Sequence, residues 1–420
     1  MTAPSLAVPR SGHLSSTTKR LLAARALRSV GQGALVVDFA LYLKALHWSA
    51  VAIGVTLSGG ALLGAVLSLA IGVLSDRAGR RKFLLGYETL MAAAGCAALI
   101  TSNTPILACA AVLGGFGRGA IGAAGPFAPA EQAWLAQTVA AQHRGPVYSL
   151  NAALGFFGMG CGALLASAPT WLERWLPGAN AYRPLFALVA LTSLANLLLF
   201  YKAQEKQLRA AQARDHVERR QMEQLRRKEN GLLWKLVFAN AFNGAAIGLT
   251  GPLIAYWFAV RFQIGPGVIA PVMAGAFFIT GASSLLAGRL SARIGLVKSV
   301  LRMQSVGLVL LILLPLMPSY WLAATVYILR SALNRSPVGA RQALSMGLVR
   351  DQRRGLATSL NAASVQFSRS LGPSIAGYLL DAGYLALPFY IAAVLQGVHL
   401  VLYRRFFKSH NFPPTEPASV

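Results

Sequence analysis

Twelve apolar segments of similar length follow one another along this sequence, and they restrict its possible folds more than any other feature. A helix needs about 20 consecutive apolar residues to cross the hydrocarbon core of a bilayer. Each segment is bounded by charged residues or by breaks rich in Pro or Gly. We therefore predict an all-α polytopic membrane protein with twelve transmembrane helices. The predicted helices lie near residues 22–44, 50–73, 83–102, 105–127, 146–168, 184–202, 233–258, 268–288, 298–317, 320–342, 356–380 and 385–403.

The composition indicates that the solvent for this chain is a bilayer rather than water. Hydrophobic residues make up 55% of the 420 residues and charged residues 12%, whereas a soluble domain carries roughly 25% charged residues. Such a chain cannot cover itself with a water-facing surface. In a bilayer a helix satisfies its own backbone polar groups, which is why helices are the predicted element.

The net charge of +26 is compatible with nucleic-acid binding only if the basic residues form a continuous face. They are instead scattered in short runs between the apolar segments, so we predict no nucleic-acid partner. Loops rich in Lys and Arg alternate with poor ones, as the positive-inside rule requires. Both chain ends fall on the rich side. We therefore predict a multi-pass protein of the cell (cytoplasmic) membrane with both termini in the cytoplasm. The basic residues on the poor side are few: Lys44, Arg174, Arg183 and Arg261.

The sequence contains one internal repeat. Residues 144–153 read RGPVYSLNAA and residues 354–363 read RGLATSLNAA, which is an offset of 210. Residues 72–79, GVLSDRAG, match residues 288–295, GRLSARIG, at an offset of 216. Two matches in order at nearly the same offset indicate a duplicated helical bundle with a substrate path between the halves.

This duplication predicts three parts of the chain. An N-terminal six-helix bundle covers residues 1–201, a cytoplasmic basic linker covers 202–231, and a C-terminal six-helix bundle covers 232–420. The linker is rich in Gln, Glu, Arg and Lys, and it fits a helix along the inner membrane surface near anionic headgroups. A regulatory or partner-binding role for the linker is the alternative.

The segment GVLSDRAGRRK at 72–82 lies between the second and third predicted helices. It resembles the signature loop of the major facilitator superfamily, G-x-L-x-D-R-x-G-R-R-x. Together with the weaker second copy and the duplicated bundles, the resemblance extends over essentially the whole chain. It implies two homologous six-helix bundles that work as a monomeric secondary transporter for a small molecule, embedded in the lipid bilayer.

The same resemblance implies a gate on the cytoplasmic side. Asp76 would meet the positive N-terminal end of helix 11, and Arg80 would pair with Glu131 at the cytoplasmic end of helix 4. In the second half Ala292 replaces the Asp and Arg341 stands in the place of Glu131, so the gate is predicted to be asymmetric. The predicted gate residues are Gly72, Asp76, Arg77, Gly79, Arg80, Arg81 and Glu131.

Charged residues inside a membrane span are costly and are therefore candidate functional residues. The resemblance places helices 1, 4, 7 and 10 around the cavity and helices 3, 6, 9 and 12 against lipid. The deep charges follow this division, with Asp38 on helix 1 and Arg118 on helix 4. Arg118 begins RGAIG, which resembles a helix 4 motif linked to proton handling in antiporters of the family. We predict that Asp38 and Arg118 couple transport to protons. A fixed ion pair between Asp38 and an arginine is the alternative.

Deep arginines outnumber deep acids, which bears on the substrate. Residues 118, 330, 335 and 369 are arginine, and Asp38 is the single deep acid, so the predicted cavity is formally positive. A guanidinium group matches a carboxylate or a phosphate with a fork of donors. For the asparagines of helix 7, interhelical bonding is the alternative to substrate binding. The predicted substrate-cavity residues are Gln32, Asn240, Asn243, Arg330, Asn334, Arg335 and Arg369.

Other residues are interpreted structurally. Glu88, near the cytoplasmic end of helix 3, is predicted to pair with a loop arginine, with a second proton site as the alternative. Glycines of helix 5 are predicted to allow close packing against the other half. The three cysteines lie in apolar segments, suggest no disulfide or metal site, and are predicted to be small core residues. The glycines are residues 155, 158, 160 and 162, and the cysteines are residues 96, 109 and 161.

The leading functional prediction is a proton-coupled secondary transporter that moves a small solute outward, similar to the drug/proton antiporter-like branch. The signature is incomplete, since Gly372-Pro373 on helix 11 resembles the Gly-Pro element of antiporter helix 5, whereas helix 5 itself has Gly162-Ala163. The alternatives are uptake or exchange of a small organic or inorganic anion, and a non-transporting membrane sensor. The sequence shows no nucleophile–base constellation, metal-ligand cluster or phosphate loop, so we predict neither an enzyme nor a cofactor.

Overall fold

The computed structural model describes residues 14–117, 125–139, 144–205, 219–349 and 354–408, and the regular structure in them is helical. The first half contains α1 (Ser16–Ala45), α2 (Ala50–Ala78), α3 (Arg80–Ile100), α4 (Thr104–Gly114), α5 (Ala128–Gln137), α6 (Arg144–Leu165), α7 (Ala168–Leu172) and α8 (Arg183–Lys202). The second half contains α9 (Arg219–Thr250), α10 (Ile254–Phe262), α11 (Pro266–Ile294), α12 (Leu296–Leu313), α13 (Tyr320–Arg335), α14 (Val338–Gly347), α15 (Arg354–Ser370), α16 (Gly372–Asp381) and α17 (Leu387–Phe407).

These helices form twelve membrane crossings, six in each half, which confirms the predicted fold class. Seven crossings are single helices, and the fifth is α6 followed by the short α7. The other four consist of two helices in sequence, namely α4 with α5, α9 with α10, α13 with α14, and α15 with α16. In the described part of the chain, nine helices are long and apolar enough to cross a bilayer. Crossings 4, 10 and 11 are not among the nine because each is divided into two shorter helices.

The divided crossings break at residues that disfavour a continuous helix. α4 ends where Gly115 adopts a left-handed φ of 62°, a conformation that glycine adopts without strain. The prediction of an unbroken helix over 105–127 is therefore wrong, and α5 extends the fourth crossing to Gln137. α14 follows Pro337. α16 has Pro373 in its first turn, where a missing N–H group is tolerated.

The duplication is visible in the backbone at the same offset of 216 residues. Gly79 and Gly295 are each the single residue between two helices, with φ of 91° and 89°. His47 and Gln263 are the described non-glycine residues with positive φ, at 61° and 53°. Equivalent turns thus join the first three crossings in each half.

Glycines bring helix backbones together within each half. A Cβ atom on Gly162 of α6 would collide with a carbonyl oxygen of α1, and one on Gly372 of α16 would collide with the backbone of Gly248 on α9. Residues 162 and 372 are 210 apart, so the same packing recurs in both halves. Of the four helix 5 glycines, Gly160 faces the other half, at Phe278, whereas the other three face α1. The prediction that all four pack against the other half is therefore wrong for three of them.

The two halves meet along α2, which packs against α15 and α16, and along α6, which packs against α11. We call the end of the molecule that carries Gly79 and Gly295 the motif end. The end that carries Ser49 and Asp381 is the opposite end. α9 begins at Arg219, inside the 202–231 segment, so the later part of that segment continues directly into the seventh crossing.

The outward faces of the bundle are apolar. Leu191 and Leu198 on α8 and Val394 and Val401 on α17 are all more than 60% exposed. Exposed apolar surface of this extent is stable only against lipid or another apolar partner. The cysteines at 96, 109 and 161 are unpaired and exposed, so the prediction that they are core residues is wrong.

Candidate functional site

Asp38 lies in the last third of α1, two turns before the helix ends at Ala45, and is the buried acid that the sequence predicts. Its side chain is 1% exposed, and among the described residues neither carboxylate oxygen has a hydrogen-bond partner. One turn further along α1, Tyr42 is fully buried, and its hydroxyl is likewise unpaired in the described part of the chain. The predicted partner, Arg118, lies outside the described residues. The proton-coupling pair therefore stays a prediction.

A second group of buried charges lies two to three turns nearer the motif end. Arg28 of α1 donates from Nε to the Glu88 carboxylate of α3 at 2.7 Å, and from Nη1 to Glu131 of α5 at 2.5 Å. The three side chains are at most 3% exposed. A single guanidinium group thus joins three helices. Arg25, also buried, lies one turn earlier on α1.

This arrangement corrects two predicted pairings. Glu131 was expected to pair with Arg80, and Glu88 was expected to pair with a loop arginine. Both carboxylates instead bind Arg28, because α1 carries this arginine on the face toward α3 and α5. The family resemblance could not identify it, since the signature loop contains no residue of helix 1.

A small internal cavity lies between Arg28 and Asp38 along α1. Its polar lining includes Arg28, Gln32, Thr192 and Ser193. Its volume is about 10 Å³, close to the space that one water molecule needs. Gln32, predicted as a substrate-cavity residue, lines this cavity, and its Oε1 atom has no hydrogen-bond partner among the described residues. In this conformation Gln32 therefore lies beside a water-sized space within the first half.

Buried arginines mark the second half. Arg330 of α13 is 8% exposed, and its Nη2 atom lies 3.5 Å from the Thr250 hydroxyl of α9. Arg335 lies five residues later, and its Cζ atom is 5.3 Å from the centroid of the Phe277 ring, over the ring face. Nε of Arg330 and Nη1 of Arg335 have no hydrogen-bond partner in the described structure. Arg369 is also buried and lies where α15 ends.

The second half of the sequence contains few acidic residues that could pair with these arginines. Between residues 232 and 420 the acidic residues are Asp351, Asp381 and Glu416. Asp381 lies at the opposite end of the molecule, and Asp351 and Glu416 lie outside the described residues. None of the three falls inside a predicted apolar span of the second half. The predicted spans of the second half therefore contribute arginines but no acid.

The asparagine predictions are resolved in part. Asn334 was expected to share a substrate-binding face with Arg330, but its Oδ1 atom accepts hydrogen bonds from Gln304 of α12 and Gln396 of α17. Its described partners therefore lie on α12 and α17, whereas the contact of Arg330, Thr250, lies on α9. Asn240 donates to Asn361 of α15 at 2.5 Å, which is the interhelical alternative. Asn243 is 2% exposed, and its role stays a prediction.

The signature loop is held by a residue that the sequence analysis did not single out. Glu205, just after α8, accepts hydrogen bonds from the backbone N–H groups of Arg80 and Arg81 at 2.9 and 3.0 Å. The Arg81 side chain donates to the carbonyl oxygens of Phe200 and Tyr201. Glu205 therefore caps the N-terminus of α3, where an anion is favourable. The available signal was an acid placed directly after the sixth predicted helix, at the start of the 202–231 segment.

The remaining gate predictions fall partly outside the described side chains. Gly72, Asp76 and Arg77 lie in the last two turns of α2. The structure does not describe the Asp76 and Arg77 side chains, so their predicted contacts stay predictions. Gly79 supplies the tight turn that the motif predicts, with its positive φ.

Solved structures with the same architecture are transporters. A bacterial homolog to the human lysosomal transporter Spinster, in an inward-facing and occupied conformation, matches with a TM-score of 0.69 at 15% identity, over 96% of this chain and 98% of that chain. A D-xylose-proton symporter matches with a TM-score of 0.70 at 15% identity, over 93% and 97%. A bacterial homologue of the iron transporter ferroportin, in an inward-facing state, matches with a TM-score of 0.70 at 14% identity, over 93% and 98%. At these identities the likeness concerns the fold.

Sequence comparison supplies the family. No curated protein sequence matches the chain. The family model of the Major Facilitator Superfamily matches it twice, over residues 21–242 and 236–420. Each match covers one half, in agreement with the repeated turns and glycine contacts. The chain therefore belongs to the Major Facilitator Superfamily and has the fold of its transporters.

Proposed function

We propose that this protein is a secondary transporter that moves a small solute by alternating access of its two halves, coupled to protons at Asp38. The observation that carries the proposal is the Asp38 carboxylate, which is buried within α1 and has no hydrogen-bond partner among the described residues. A purely structural acid buried in this way would be expected to have donors, because an unpaired buried charge is costly.

Alternating access supplies the cycle that such an acid needs. Its surroundings change from dry to hydrated as the cavity closes and opens, so it can bind a proton in one state and release it in the other. Arg118 is the proposed partner that assists the release. The second group of charges, around Arg28, is already paired and is therefore less suited to this role.

The proposed substrate is a small organic or inorganic anion. Arg330 and Arg335 are the proposed binding groups, since both have a guanidinium nitrogen without a described partner and their half contributes no acid to the spans. Arg369, Gln32 and Asn243 are proposed as further cavity residues. Outward movement is proposed from the resemblance to antiporters, and uptake or exchange is the second candidate.

Proton-coupled flux in vesicles tests the function. The protein is reconstituted with a trapped pH-sensitive dye, and inorganic phosphate and a series of small carboxylates are added outside. We expect at least one of these anions to move protons in the wild type. Asp38→Asn should abolish this proton movement and leave anion exchange intact, because the proposed anion-binding arginines lie in the other half.

The control is Glu173→Gln, which removes an exposed acid and should leave the proton movement unchanged. Anion-driven proton movement that survives in Asp38→Asn would contradict coupling at Asp38. A wild type that moves none of these anions would contradict the anion proposal and leave a sensor or another solute class. In cells, lower accumulation of the transported anion supports export, and higher accumulation supports uptake.

The proposed orientation places the motif end in the cytoplasm, with both termini there and the protein in the cell membrane as a monomer. In a variant with Cys96, Cys109 and Cys161 replaced by Ser, new cysteines at 205–225 should react with an impermeant thiol reagent only from the cytoplasmic side. A cysteine at 178 should react only from outside. Labelling of both positions from one face would overturn the orientation and the single crossing, α8, that separates them.

A further inference from the structure

The N-terminus of α2 is capped by an acid from the other half of the molecule. Asp381, the last residue of α16, accepts a hydrogen bond from the backbone N–H of Ala50 to Oδ1 at 2.8 Å, and one from Val51 to Oδ2 at 2.9 Å. The side chain of Ser49 accepts from Ala52 at 3.1 Å. The first three N–H groups of α2 therefore have partners, and two of these bonds cross between the halves. Such bonds combine a charged acceptor with the positive end of a helix dipole.

Below this cap, α2 and α16 lie unusually close. A Cβ atom on Gly377 would collide with the carbonyl oxygen of Ala50, and one on Gly54 would collide with the carbonyl oxygen of Pro373. Both glycines are needed because the backbones themselves are in contact.

A third contact follows one turn deeper. The hydroxyl groups of Ser58 and Ser374 are 2.7 Å apart, and the backbone N–H of Ser374 donates to Ser58 at 3.0 Å. Residues 50, 54 and 58 of α2 thus face residues 381, 377 and 374 of α16 on successive turns. We call this contact between α2 and α16 the seam. It is polar at both ends and has glycines between them. Opening it therefore exposes no large apolar side chain.

We infer that Asp381 is a gate residue for the transport cycle, and that its bonds to α2 keep the opposite end closed in this conformation. The inference depends on the alternating access proposed above, because that mechanism requires the opposite end to open. When the halves separate there, Asp381 leaves the N-terminus of α2, and water takes its place. The stability of the closed state relative to the open state therefore depends on this carboxylate.

Distances across the opposite end test the gate directly. In a background with the three native cysteines replaced, spin labels are placed at Asn180→Cys in the first half and Pro318→Cys in the second, both exposed positions outside the seam. Pulsed electron–electron double resonance in nanodiscs then gives the distance distribution. Asp381→Ala should increase the ratio of long to short distances about tenfold, as expected when charged hydrogen bonds are lost from one state only.

Two further variants separate the gate from general effects. Asp381→Asn keeps one acceptor oxygen but no charge, so its distribution should lie between those of the wild type and Asp381→Ala. Glu173→Gln removes another exposed acid at the same end and should leave the distances unchanged. Unchanged distances in Asp381→Ala, or an equal change in Glu173→Gln, would overturn the inference. Since the readout is a distance, it is independent of the vesicle assay, in which a failure of the proposed function would appear as absent anion-driven proton flux.

Discussion

Replacing Arg28 by methionine should destabilise the protein more than any other single substitution considered for the first half. The change leaves Glu88 and Glu131, which are 0% and 1% exposed, without the guanidinium group that binds both. Removing one partner of a buried ion pair costs roughly 3–5 kcal/mol because the remaining charge is uncompensated. Thermal unfolding in detergent, followed by tryptophan fluorescence, should show a strongly lowered midpoint.

A compensated variant separates charge from packing. The triple variant Arg28→Met, Glu88→Gln, Glu131→Gln removes all three charges and should recover much of the lost stability, since replacing a whole buried ion group by neutral side chains is often tolerated. Arg174→Met, at an exposed position, is the matched control and should unfold like the wild type. A single Arg28→Met variant with a normal midpoint would show that the ion group does not stabilise the fold.

The sequence predicts the crossings well because a membrane span has a length and a composition that can be read locally. It predicts their breaks less well. Pro337 and the Gly372-Pro373 pair are recognisable signals, although the predicted helices over 320–342 and 356–380 were drawn through them and are in fact divided there. The left-handed conformation of Gly115 had no comparable signal in the sequence. The repeat was a stronger signal than any single motif, because Gly79 and Gly295 adopt the same turn in both halves.

Pairing between distant side chains was the part that the sequence could not predict. Arg28 and Glu131 are 103 residues apart, and their contact depends on how α1 and α5 are rotated about their axes. The same limit applies to Asp381, which lies 331 residues from Ala50. Its position at the end of a predicted helix indicates a loop residue, and nothing in its neighbourhood points to α2. The lone deep acid at 38 was readable because charge inside an apolar span is unusual in itself.

The second large effect is expected on anion affinity when Arg330 of the proposed cavity is replaced. Arg330→Ala should weaken binding of any anion that the wild type binds, because a hydrogen bond to a charged group is worth roughly 1.5–3 kcal/mol. This corresponds to a loss of affinity of roughly ten- to a hundredfold. Binding is measured as the rise in unfolding temperature with inorganic phosphate or with each small carboxylate, since a ligand stabilises only the state that it binds.

Three comparisons decide whether Arg330 binds substrate or only another part of the protein. Arg330→Lys keeps the charge but loses the fork of donors, so its affinity should fall between those of the wild type and Arg330→Ala. Arg302→Ala, at an exposed position of α12, should leave the affinity unchanged. A double-mutant cycle between Asp38 and Arg330 supplies the opposite test, because the two residues lie in different halves and each has unpaired polar atoms in the described structure. Full coupling between them in stability, together with unchanged anion affinity in Arg330→Ala, would mean that Arg330 forms an ion pair with Asp38 in another state and does not bind substrate.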